Sequence, residues 1–178
     1  IDREPDGTPT GIVREHAMRL VFDRIGLPEE GVVVERLAEL IQELHQVGLT
    51  GAHDQRVRAE GPLMWGALQR LRREGRLTLR TVTNIAPEQL PHLVAAGLRS
   101  GFGDDWLRLG WLKVFADGTL GSRTALMLEP YEEEPENRGM AVHSAEEIYD
   151  LAHQAAAAGI ATSVHAIGDR ANRQVLDL

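Results

Sequence analysis

The feature that most constrains this chain is a phrase of helix, glycine and strand that occurs four times: "ELHQVGLTGAHD", "RLRREGRLTLRT", "LVAAGLRSGFGDDWLRLGWLKVF" and "AAAAGIATSVHA". In each, an amphipathic helical pattern ends near a glycine and extended sequence lies downstream, the third time only after a longer connection. Strands separated by helices instead of tight turns pair in parallel, so the phrase predicts βα alternation. The helix read over residues 34–47 repeats Leu37, Leu40, Ile41, Leu44 and Val47 along one face, with Gly48 as its stop. Leu63, Met64, Ala67, Leu68 and Leu71 repeat the arrangement. A further helix begins at Ser144 in a capping-box pattern with Glu147, runs through Ile148, Leu151, Ala152 and Ala155, and stops at Gly159.

An open doubly wound sheet and a barrel are the two architectures open to such a chain. The strand "IATSVHA" favours the barrel, because Ala161, Ser163 and His165 make a small, polar face opposite the apolar face of Ile160, Thr162 and Val164. In "LGWLKVFAD" the same alternation separates Trp111, Lys113 and Phe115 from Leu112, Val114 and Ala116. The fold class is therefore α/β, a partial (β/α)8 TIM-type barrel of about four βα units with parallel strands. A complete barrel takes eight strands and ~250 residues, so residues 1–178 are expected to be a single partial domain. The opening "IDREPDGTPTG", without methionine, and the close on the helical "RANRQVLDL" suggest an excised segment of a longer protein.

Composition excludes several functions. A formal net charge of −8, with acidic residues condensed only at "EPYEEEPE", argues against nucleic acid as a partner. No apolar run is long enough to span a bilayer, and no basic-then-apolar start marks a signal peptide, so no membrane partner is expected. The chain has no cysteine, which removes disulfides, thiolate catalysis and thiolate metal sites, and fits a cytoplasmic protein.

Two residues carry the chemistry. Lys113, inside the apolar run of "WLKVFADGTLGSRTA", is by the ordinary reading a chain that snorkels outward or pairs with a carboxylate. Its functional readings are a Schiff-base amine and a carbamylated lysine that bridges metals. His165, among small neighbours at a strand end, can be a structural histidine, a base or a metal ligand. Asp169 reads first as a helix N-cap and second as a carboxylate supporting a site. In "GAHDQ", His53 and Asp54 point to opposite faces, so at most one faces a barrel interior, and His53 is taken as a candidate substrate contact or supporting residue. Residues 117–143 form the longest irregular stretch, an expected active-site or lid element, and its run Glu132 to Glu134 reads as solvated. The Gly-rich "ADGTLGSRTA" lacks the endings of known phosphate loops. His16, His45, His92, His143 and His153 have no ligand spacing and receive no role.

"GWLKVFADGTLGSRTALM", "SVHAIGDRANRQVLD", "GLTGAHD" and "DGTPTGIVREHAMRLV", in this order, resemble the amidohydrolase family 3 branch of the metal-dependent hydrolases, with its YtcJ-like and N-substituted formamide deformylase-like proteins. The resemblance covers essentially the whole chain. It implies the central segment of a (β/α)8 barrel with one or two divalent metals, commonly zinc, and hydrolysis of small amide-like substrates at C–N bonds. Lys113 would match the lysine that can be carbamylated to bridge metals, and His165 a histidine metal ligand. Asp117, Gly118 and Arg123 would match the loop after the lysine, as substrate contacts or loop braces. The family's other ligands and its catalytic aspartate have no counterparts in the sequence, so the chain alone is expected to bind catalytic metal poorly and to be inactive. Open barrel edges and an uncovered interior lead to the expectation of a homo-oligomer. Two other readings stand beside this one: a non-catalytic, self-associating α/β module, and a Schiff-base lysine barrel enzyme.

Overall fold

The computed structural model describes residues 1–13, 15–55 and 61–178, and for Glu15 and His16 the backbone alone. After a 3-10 turn at Glu15–Met18 come α1 (Arg19–Ile25), α2 (Glu30–Gln46), β1 (Gly51–Asp54), α3 (Gly61–Arg73) and β2 (Arg80–Ile85). A second 3-10 turn, Pro87–Gln89, leads into α4 (Leu90–Ala95), β3 (Leu107–Phe115), α5 (Ala145–Ala157), β4 (Thr162–His165) and α6 (Asp169–Leu176).

The glycines of the repeated phrase end α2, α3, α4 and α5 in the same way. At the end of α2, Gly48 N–H donates to His45 O at 3.0 Å and Leu49 N–H to Leu44 O at 3.0 Å. Gly75 with Arg76, Gly97 with Leu98 and Gly159 with Ile160 repeat this pair of bonds. The arrangement needs a residue in left-handed backbone, and the four glycines have φ between 70° and 82°. Each chain reversal is thus written locally, and it delivers the next segment to the sheet.

The strands pair in the order β1-β2-β3-β4, all parallel, in a curled half-barrel. The core lies between this sheet and the helices. Leu112, Val114, Ala116 and Ile160 pack with Ile148 and Ala155 of α5 and Ala171 of α6. A second cluster joins Val34 and Ile41 of α2 to Ala67, Leu68 and Leu71 of α3 and to Leu77, Leu79 and Leu107. The expected alternation in β3 is present: Leu112 and Val114 are fully buried on the helix side, whereas Trp111, on the opposite face, is 40% exposed.

Two local expectations change. The second helix starts at Glu30, not at residue 34, because Pro28 and Glu29 are extended or outside it and Val33 and Val34 join its buried face. Its stripe runs through Val34, Leu37, Ile41 and Leu44, which leaves Leu40 at 45% and Val47 at 74% exposure. The period was readable, but only the position of α3 selects which flank is covered. In residues 117–143 the acidic run is not simply solvated: Arg123 pairs with Glu133 at 2.6 Å and with Glu134 at 2.5 Å. The capping box of α5 forms as expected, with Ser144 N–H donating to Glu147 Oε2 at 2.7 Å and Glu147 N–H to Ser144 Oγ at 3.2 Å.

Neighbouring residues on α2 should therefore respond very differently to truncation. Ile41→Ala should lower unfolding stability by about 2–5 kcal/mol, and Leu40→Ala by less than about 0.5 kcal/mol, in urea titrations followed by circular dichroism.

Candidate functional site

The side chain of Lys113 points to the face of β3 opposite the helices and is only 8% exposed. Its Nζ lies 4.7 Å from the centre of the Phe115 ring and has no hydrogen bond or ion pair among the described residues. Burial without a counter-charge pushes its pKa below the usual lysine value. Lys113 stands beside Ser163 of β4, and Phe115 beside His165. The Phe115 and His165 rings are 5.2 Å apart. Both candidate ligands thus sit near the C-terminal ends of adjacent parallel strands, where barrels carry their chemistry.

His165 Nε2 is 2.9 Å from Gly118 O. A carbonyl oxygen only accepts, so Nε2 carries the proton, and in the neutral ring Nδ1 holds the lone pair. A histidine whose other nitrogen donates to a backbone carbonyl has the usual support of a metal-ligating imidazole. Asp117 Oδ1 lies 3.9 Å from the same Nε2, outside hydrogen-bond range.

Asp117 has other work. Its fully buried carboxylate accepts from Leu126 N–H at 2.8 Å, Ile167 N–H at 3.0 Å and Gly168 N–H at 2.7 Å. It ties the long loop to the connection after β4. Asp169 adds a second tie by accepting from Leu128 N–H at 2.8 Å. The N-cap of α6 is Gly168, with Asp169 as the first helical residue, so the cap expected at Asp169 sits one residue earlier. Gly168 is required by close approach, since a Cβ there would lie 1.8 Å from Leu126 O. Arg123, with φ of 55°, is braced within the loop by its two glutamates and by Asn137 Nδ2 on its carbonyl oxygen.

Across the interior face runs a polar network of which the sequence reading found only His53. Asn84 of β2, fully buried, accepts at Oδ1 from Trp111 N–H at 2.8 Å and contacts His53 Nε2 at 2.8 Å through the same oxygen. Its Nδ2 donates to Gln55 Oε1 at 3.2 Å, which Ser163 Oγ also reaches at 3.4 Å. The His53 ring meets Trp111 edge-on at 4.7 Å. His53 is therefore the interior member of the "GAHDQ" pair. Asn84 enters where the β2–β3 register shifts, and Gly110 leaves the space: a Cβ there would lie 2.3 Å from Asn84 Oδ1. An isolated glycine inside a strand was the available signal. His143, given no role from its spacing, meets the last carbonyl of β3 through Nδ1 at 2.8 Å from Phe115 O.

The structure thus brings Lys113 and His165 together, places His53 on the same face, and commits Asp117, Asp169 and Arg123 to bracing. Among the described residues, no three His, Cys, Asp or Glu side chains converge to hold a metal. Lys113 and His165 fit one as a partial donor set, since one is a buried amine without a counter-charge and the other an imidazole with a supported tautomer. No helix among the described residues is long and apolar enough to cross a membrane.

The model of a family described as the amidohydrolase family matches residues 1–178. The chain is 31% identical over 179 residues to the putative amidohydrolase YtcJ of Bacillus subtilis (strain 168), a match spanning 99% of this chain and 33% of that protein. It is also 31% identical over 189 residues to the protein LONG AFTER FAR-RED 3 of Arabidopsis thaliana, spanning 100% of this chain and 32% of that one. Among solved structures, an uncharacterized metal-dependent hydrolase from Pyrococcus furiosus superposes with a TM-score of 0.80 and 30% identity, over 99% of this chain and 38% of that chain. Another from Pyrococcus horikoshii OT3 gives 0.76 and 29%, over 90% and 32%. The chain spans about a third of the length of the curated relatives it matches.

Asp117→Asn places an N–H2 group against backbone donors and should destabilise the fold by about 1–3 kcal/mol, with new cleavage sites within residues 118–143 in limited proteolysis. Lys113 gives a pH signature in metal-free protein. Its folded pKa lies below the unfolded value of 10.5, so the unfolded chain binds more protons between the two. The burden on stability is complete below the folded pKa and is relieved as pH rises through it. Lys113→Met should be more stable than the parent at neutral pH, and the gap should close as pH approaches 10.5 in parallel urea titrations.

Proposed function

Since this chain belongs to the amidohydrolase family, we propose that it supplies two ligands to the catalytic metal centre of a hydrolase that cleaves C–N bonds of small, amide-like substrates. The observation that carries the reading is the pairing of a buried Lys113, without a counter-charge among the described residues, with His165 at the C-terminal ends of adjacent strands. Burial favours the uncharged amine. Such an amine adds to carbon dioxide, forming an N–C bond and releasing one proton to solvent, and the resulting carbamate offers anionic oxygens as ligands. His165 would ligate through Nδ1, its Nε2–H held by Gly118 O. The bound divalent metal, for which zinc suits nitrogen and oxygen donors, would lower the pKa of a water so that it attacks the substrate carbon at neutral pH. Asp117 and Asp169 hold the loop that carries Gly118 against the β4–α6 connection, which fixes the acceptor that orients the imidazole.

Two ligands are too few for a catalytic zinc, so the remaining donors in this proposal come from outside residues 1–178. Metal analysis of the 178-residue chain by itself should find less than one equivalent and no amidase turnover; stoichiometric metal with turnover would sink that part of the proposal. In the intact protein, Lys113→Ala and His165→Ala should each lower metal-dependent hydrolysis of p-nitroacetanilide by roughly a hundredfold or more. Inactivation by borohydride in the presence of a ketone, with label on Lys113, would point to Schiff-base chemistry instead.

Among the described residues, β1 pairs only with β2 and β4 only with β3, leaving two sheet edges open. These edges and the half-exposed Trp111 support self-association of the chain when it stands alone. Light scattering at micromolar concentration should find a dimer or larger species, and a monodisperse monomer would count against it.

A further inference from the structure

The hydrogen bonds around Asn84 determine the protonation of a second imidazole on the interior face. Trp111 N–H is a backbone donor, so the Asn84 side-chain atom 2.8 Å from it must be the amide oxygen. The same orientation lets Asn84 Nδ2 donate to Gln55 Oε1 at 3.2 Å. His53 Nε2, 2.8 Å from that oxygen, faces an atom that only accepts, so it must carry a proton. In the neutral ring the lone pair is then on Nδ1, which has no hydrogen bond among the described residues. Edge-on packing against Trp111 at 4.7 Å fixes the plane of the ring.

We propose that His53, locked as its Nε2–H tautomer by Asn84, is a substrate-orienting residue whose Nδ1 accepts a hydrogen bond from the N–H of a secondary amide. The tautomer stands on the hydrogen bonds alone; the substrate contact rests on the hydrolase reading above. It sets a preference within the substrate class, because a tertiary amide has no N–H to give. Asn84 is the positioning residue, acting through His53, and Gly110 makes room for its oxygen inside the strand pair.

The test uses the intact protein with isotope-labelled histidine, and nitrogen NMR of the imidazole at a pH where the ring is neutral. Nε2 of His53 should be protonated and Nδ1 unprotonated. Acetanilide should shift the Nδ1 resonance, and N-methylacetanilide, which lacks the N–H, should not. His53→Gln keeps a donor toward Asn84 but has no acceptor at the Nδ1 position, and should weaken acetanilide binding by about tenfold relative to N-methylacetanilide binding. Asn84→Ala should release a mixture of tautomers, and Asn84→Asp, which retains an acceptor, should restore the Nε2–H form. A proton on Nδ1 in the parent protein overturns the proposal, as does an Nδ1 resonance that answers both anilides alike or neither. Failure of the hydrolase reading would look different: metal-loaded protein that cleaves neither anilide while Nδ1 still responds to acetanilide.

Discussion

The carboxylate of Asp117 is the interaction on which the rest of the site depends. Three backbone N–H groups from two remote segments, at residues 126 and 167–168, converge on its two oxygens in a place without solvent. Without it the Leu126 and Gly168 donors would be buried and unpaired, at a cost far above the net worth of a single hydrogen bond. One short, charged side chain thereby gives a long connection the definition of a strand pair. The loop needs no regular secondary structure because its position is fixed at the base, and Asp169 and Gly168 hold the same seam.

Lys113 shows the opposite economy. Its ammonium gains little where it stands, with an aromatic face nearby and no carboxylate among the described residues. A chain selected only for stability would place methionine or leucine there. Conflict of this kind between local stability and residue type is the usual mark of a functional position. His165, by contrast, is settled: its hydrogen bond to Gly118 O fixes the ring while leaving the other nitrogen with its lone pair. The pair combines a buried cation held at a disadvantage with a companion held still.

The sequence was most readable where the physics is local. Helix stops at Gly48, Gly75, Gly97 and Gly159 and the capping box at Ser144 depend on a few neighbouring residues, and so do the two faces of β3. Legibility fell where partners are distant. Leu40 and Ile41 are equally hydrophobic, and only the packing of α3 distinguishes them. Asn84 looked like an unremarked strand residue because its partners, Gln55, His53 and Trp111, come from other strands or their ends. Asp169 was recognised as belonging to a helix start, but the bond that occupies it comes from Leu128, far away along the chain.

The repeated glycine stops have a consequence for how such a molecule can change. They lie at the end of the sheet where helices feed into strands, whereas Lys113, His165 and the long connection occupy the other end. The turns that build the sheet and the connections beside the candidate ligands are thus separate sets. Segments on the side of Lys113 and His165 can be lengthened, shortened or exchanged while the folding instructions on the far side stay intact, so that end of the sheet can be reshaped without inventing a new scaffold.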